Sequence, residues 1–171
     1  MNVLFYTGGA VAIVATVLVI TRRNAVHALL YLILSLLSVA LVFYALGAAF
    51  VALLEVIIYA GAIMVLFLFA IMMLNLGSAA DEEKGRLLRP GTWRGPALLA
   101  AVLAIQLGYA AFNPGPLVAT PAAVEPRAVG ASLFGPYLLA AELASILLLA
   151  GLVGAYHLGR RSEPGEKGGP S

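Results

Sequence analysis

Two carboxylates and one phenol stand where lipid would ordinarily be met. The stretch EVIIYAGAIMVLFLF, residues 55–69, places Glu55 and Tyr59 inside an apolar run, and Glu142 occupies a second such run; no other acid lies well inside one. An acid at the centre of a membrane helix costs about 2.5–3.5 kcal/mol on insertion scales, an outlay that usually marks a proton path or a buried partner. Counted from Ala48 and Phe134 at about 1.5 Å per residue, both acids lie about 10–12 Å deep, so one level can hold both. Burial disfavours the charged form, which leaves two readings: proton carrier, or neutral hydrogen-bonding glue between helices.

A second polar set is His27, Tyr31, Ser35 and Ser38, spaced four, four and three residues apart and therefore on one helical face. It climbs from one helix end to about the depth of the glutamates. Helix–helix hydrogen bonding is the simpler reading and a hydrated face the sharper one. Ser38, Glu55, Tyr59 and Glu142 are the candidate proton-path residues. His27 and His157 read as interfacial residues.

These residues need membrane helices to position them. The 171 residues are 63% hydrophobic and 11% charged, with a mean hydropathy of +1.03. Such a composition belongs in a bilayer, whose hydrocarbon core of about 30 Å takes about 20 apolar residues per crossing. Five crossings are predicted, over about 3–21, 25–46, 48–76, 95–112 and 134–158, in an all-α integral membrane domain spanning 1–158, with a flexible tail over 159–171. Asn24 is suited to cap the second helix, and Pro96 and Pro136 to open the fourth and fifth. The proline-rich outer connection, NPGPLVATPAAVEPRAVGA, is expected to be an extended strap. Trp93, in the charged inner connection GSAADEEKGRLLRPGTWRG, is placed to sit at the membrane interface.

Of the ten basic residues, Arg22, Arg23, Lys84, Arg86, Arg89, Arg94, Arg160, Arg161 and Lys167 fall on one side of this topology and only Arg127 on the other. The positive-inside bias then puts the N-terminus outside and the C-terminus in the cytoplasm. Basic residues gathered at helix ends make no nucleic-acid patch. With no cysteine and only two histidines, the chain offers no thiolate ligands for a cluster and a poor metal site.

The third crossing is too long. Residues 48–76 would measure about 43 Å as a regular α-helix, so the helix must tilt, protrude or break register. Its weak point is Tyr59-Ala60-Gly61-Ala62, since glycine tolerates distortion and π-bulges often mark functional positions. Close approach of a neighbouring helix to Ala60, Gly61 and Ala62 is the structural alternative. Beyond Gly61, IMVLFLFAIMML carries no titratable group, so a proton at Glu55 must leave through water or another subunit.

The stretch NAVHALLYLILSLLSVALVFYALGAAFVALLEVIIYAGAIMVLFLFAIMMLN resembles the signature region of the subunit J family of bacterial proton-pumping NADH:quinone oxidoreductase, respiratory complex I. It is similar also to the mitochondrially encoded subunit six. The resemblance is close over residues 1–76 and implies a five-span subunit of the bacterial inner membrane, lying between the quinone-site subunit and the antiporter-like subunits. It implies a π-bulge at Tyr59, Ala60 and Gly61 that connects or interrupts a water path. It also implies that NADH, FMN, iron–sulfur clusters and quinone are bound by partner subunits and none by this chain, which then has no catalytic residue of its own. Two rivals remain at this point: a self-sufficient small ion-coupled transporter, and a structural spacer.

Overall fold

A computed structural model describes residues 2–22, 24–74, 93–112 and 123–159. The elements are α1 (Asn2–Thr21), α2 (Ala25–Ala45), α3 (Ala49–Leu54), a π-helical segment (Glu55–Ile63), α4 (Met64–Leu74), α5 (Arg94–Phe112), α6 (Pro126–Leu133) and α7 (Leu138–Gly159). α3, the π segment and α4 run on as one crossing. Among the described residues five helices are long and apolar enough to span a bilayer: Val3–Thr21, Ala25–Ala45, Ala49–Met73, Arg94–Phe112 and Leu138–Gly159. The fold is all-α, with no strand among the described residues.

Two compact units divide the chain, Met1–Pro126 and Arg127–Ser171. In the first, α1, α2 and α5 enclose the core. Leu4, Ala45 and Ala110 form one cluster, with Phe5 and Tyr44 against it. Val11, Leu41 and Leu103 form another, flanked by Leu34, Leu37, Leu99 and Val102. Ala15 is fully buried, and its small side chain suits close helix approach.

Both ends of α2 are fixed by local chemistry. Asn24 has extended backbone angles (φ −91°, ψ 121°) and its side chain accepts from the His27 N–H at 3.1 Å, satisfying one of the helix's unpaired donors as expected. At the other end Gly47 adopts φ 83°, a left-handed conformation that glycine reaches at no steric cost. The Gly47 N–H then donates to the Tyr44 carbonyl and the Ala48 N–H to the Phe43 carbonyl, each at 3.0 Å, in a Schellman closure. The chain re-enters a helix at once, so the third crossing runs back along α2.

In the second unit the structure departs from two expectations. The stretch before the last crossing is not wholly an extended strap: Pro126–Leu133 is the helix α6, opened by a proline whose missing N–H costs nothing at that position. The last crossing begins at Leu138, not at 134. Residues 134–137 form a turn in which the Gly135 and Tyr137 N–H groups both donate to the Ser132 carbonyl, at 3.4 and 3.0 Å. Pro136 sits inside this turn, not at the first position of α7, because it has no N–H to continue the preceding ladder. No side chain of α7 is buried within the chain. The inner connection up to residue 92, residues 113–122 of the outer one, and the tail from residue 160 lie outside the described residues.

Candidate functional site

The π-helical segment spans nine residues, Glu55–Ile63, and contains Tyr59, Ala60 and Gly61. Its i to i−5 pairing explains how the long third crossing departs from a regular α-helix. The absent Cβ of Gly61 would lie 3.2 Å from the carbonyl oxygen of Val56, five residues earlier, closer than a side chain comfortably sits. Glycine at 61 therefore spares the π segment a close contact with the Val56 carbonyl.

Glu55 is partly exposed and Tyr59 about half exposed, at 49%. Four residues apart, they fall on neighbouring positions of one face of the wide π turn. Most of this crossing's circumference is free within the chain: Leu53, Ile57, Leu66, Phe67, Phe69 and Met73 are all exposed. Among the described side chains of this crossing only Ala52 and Met64, on either side of the π segment, are buried. An apolar cavity of about 580 Å³ lies between α2, α3 and α5, lined by residues including Leu37, Tyr44, Ala52, Val56, Leu103 and Leu107; Glu55 is not among them.

The stripe read from the sequence is buried throughout. His27, Tyr31, Ser35 and Ser38 are 4%, 1%, 6% and 0% exposed. Ser35 is an inter-helix fastener, its hydroxyl 2.8 Å from that of Thr16 and 3.2 Å from the Ala12 carbonyl that it donates to. The Ser38 hydroxyl donates to the Leu34 carbonyl at 2.8 Å. Helix-to-helix bonding thus holds for Ser35, while Ser38 turns to its own helix.

At the lower end of α2, the Arg22 guanidinium lies 5.3 Å from the centre of the Tyr31 ring, a cation–π approach. His27 faces the half-exposed Trp93 edge-on, with 6.2 Å between ring centres. His27 Nδ1 stands 3.2 Å from Asn24 Oδ1, and Nε2 is buried without a partner. Gly95 of α5 touches the Tyr31 phenol, whose Cζ would be 3.3 Å from a Cβ on that glycine.

Glu142 belongs to the second unit, exposed on α7, where the neighbouring Ser145 hydroxyl donates to the Ala141 carbonyl at 3.1 Å. Within the first unit Glu55 and Tyr59 are thus brought together and the stripe is gathered separately on α2. One residue escaped the sequence reading: Gln106 of α5, whose Oε1 is buried and unpaired. Its signal was a lone amide within a 19-residue apolar helix. Among the described residues no group of three or more histidines, cysteines or acids is placed to hold a metal.

Residues 15–158 match the family model for NADH-ubiquinone/plastoquinone oxidoreductase chain 6. The chain is 53% identical over 168 residues to NADH-quinone oxidoreductase subunit J of Escherichia coli, covering 97% of this chain and 90% of that one. Identity to the subunit J of Pseudomonas aeruginosa is 54% over 162 residues, 94% of this chain and 98% of the relative. Against that of Rhodobacter capsulatus it is 39% over 158 residues, 88% and 77% of the two chains. With its five apolar helices and the match running through all of them, the chain belongs to the chain 6, or subunit J, family of NADH-quinone oxidoreductase membrane proteins.

Proposed function

We propose that this chain is a membrane-arm subunit of a proton-translocating NADH:quinone oxidoreductase in the bacterial inner membrane, and that its third crossing is the moving part that couples quinone reduction to proton pumping. The observation that carries the proposal is the π register at Glu55–Ile63 in a crossing that is packed along α2 and otherwise bare. A π turn holds one residue more than an α turn. Relaxing it to α register turns everything beyond it by one residue, about 100°, and shifts it by about 1.5 Å along the axis.

α4 would make that turn. Met64, buried in the π register, would swing away from its present contacts and another face of α4 would replace it. Glu55 and Tyr59, at the start of the changing segment, would alter their angle to α2. A hydrated passage beside Glu55 opens in one register and closes in the other, with Glu55 receiving the proton and neighbouring subunits taking it onward, since α4 has no titratable side chain. The chain's membrane neighbours are the quinone-site and antiporter-like subunits, and the NADH, FMN, clusters and quinone are bound by partner subunits of the complex.

Gly61→Leu tests the reading in native membranes. NADH oxidation that continues while proton translocation falls supports a coupling hinge; full pumping at unchanged stoichiometry refutes it.

A further inference from the structure

α5 carries one amide in a helix otherwise built to face apolar surroundings. Gln106 stands six residues before the end of α5 at Phe112, and its Oε1 is buried without a hydrogen-bond partner. Across from it α1 presents Gly8. The position a Cβ would take on Gly8 lies 3.3 Å from Val42 Cγ2, 3.6 Å from the Ser38 carbonyl oxygen and 3.9 Å from Gln106 Oε1. Two acceptors from two helices therefore converge beside a residue with no side chain.

The Ser38 hydroxyl is turned elsewhere, since its Oγ donates to the Leu34 carbonyl. A backbone carbonyl has two lone pairs, of which the helix ladder uses one. An acceptor pair short of a donor is the pattern that an internal water satisfies, and buried unpaired polar atoms commonly mark such a water.

We propose that α1, α2 and α5 hold one internal water molecule between Gly8, Ser38 and Gln106. It donates one hydrogen to Gln106 Oε1 and the other to the free lone pair of the Ser38 carbonyl, and Gly8 keeps the space open. Ser38 is seven residues from the end of α2 at Ala45, Gln106 six from Phe112, and Glu55 six from the start of α3 at Ala49. At about 1.5 Å per residue all three lie about 9–11 Å inside their helix ends. The water extends the buried polar face of α2 onto α5 and places an exchangeable proton at that depth, independently of how the π segment behaves.

Electron cryomicroscopy of the assembled wild-type complex, at a resolution that shows ordered water, tests the site directly. Density at about 2.7–3.2 Å from Gln106 Oε1 supports it. An empty space, an amide turned to donate straight to the Ser38 carbonyl, or a protein donor in the water's place overturns it. Stability of the purified complex gives a second readout. Gln106→Leu is expected to lower the dissociation temperature, because it strips the water of an acceptor; an unchanged or raised temperature contradicts the site. Gly8→Ala, whose methyl expels the water, should cost more in the wild-type background than in Gln106→Leu, and equal costs in both would count against it.

Discussion

Substitution of Gly61 has a sign and a size that follow from one contact. In the π register a Cβ at residue 61 would stand 3.2 Å from the Val56 carbonyl oxygen, so that oxygen must yield by a few tenths of an ångström. Forcing such a contact costs about 1 kcal/mol at the low end of the overpacking range, and about 3 kcal/mol for a larger side chain. The general gain of alanine over glycine in a helix, about 1 kcal/mol, applies to both registers and cancels. The remaining 1 kcal/mol shifts the balance from π to α about fivefold for Gly61→Ala, and a bulkier residue shifts it a hundredfold or so. The assay is the number of protons translocated per NADH oxidised in inverted membrane vesicles, with NADH oxidation by an artificial acceptor as control. The stoichiometry should fall from wild type through alanine to leucine while the artificial-acceptor rate stays level. An unchanged stoichiometry in the leucine variant would refute the link between register and pumping.

Gly95→Ala should disrupt the α2–α5 contact by driving a methyl into the Tyr31 phenol, at about 1–3 kcal/mol, seen as a lower dissociation temperature of the complex that Tyr31→Phe partly restores. Thr16→Val and Ser35→Ala should each weaken α1–α2 packing, with a double-mutant coupling of about 0.6 kcal/mol from their shared hydrogen bond; strict additivity would show that bond to be idle. Glu55→Gln should leave assembly intact and lower proton translocation relative to NADH oxidation, whereas a spacer role predicts no change in the ratio. Asn24→Ala should destabilise the start of α2 by about 1 kcal/mol through loss of its cap to the His27 N–H, measurable as faster amide exchange over the first turn.

How much of this was legible beforehand depends on what kind of signal each feature leaves. The crossings were readable because about 20 apolar residues in a row have few other uses, and the Asn24 cap because its side-chain chemistry is local. The 4-4-3 spacing of His27, Tyr31, Ser35 and Ser38 gave the shared face, though only packing shows that α1 and α5 bury it. Pro136 misled the start of α7 because proline suits both the first turn of a helix and the turn before one. Helix length and Gly61 pointed to a disturbed third crossing. They could not give its extent, since i to i−5 pairing over nine residues is a backbone property with no side-chain signature. Gln106 was passed over because a single amide carries no periodicity; its interest comes from Gly8 and Ser38, remote in sequence and adjacent in space.

The central claim is a change of register, and it is visible in backbone bonds. Structures of the assembled complex, resting and during turnover, should be compared over residues 55–64 at a resolution that locates the carbonyl oxygens. The account predicts i to i−5 bonds in one state and i to i−4 bonds in the other, with α4 rotated by about 100° between them. The same π bonding in both states, with α4 unmoved, would contradict it.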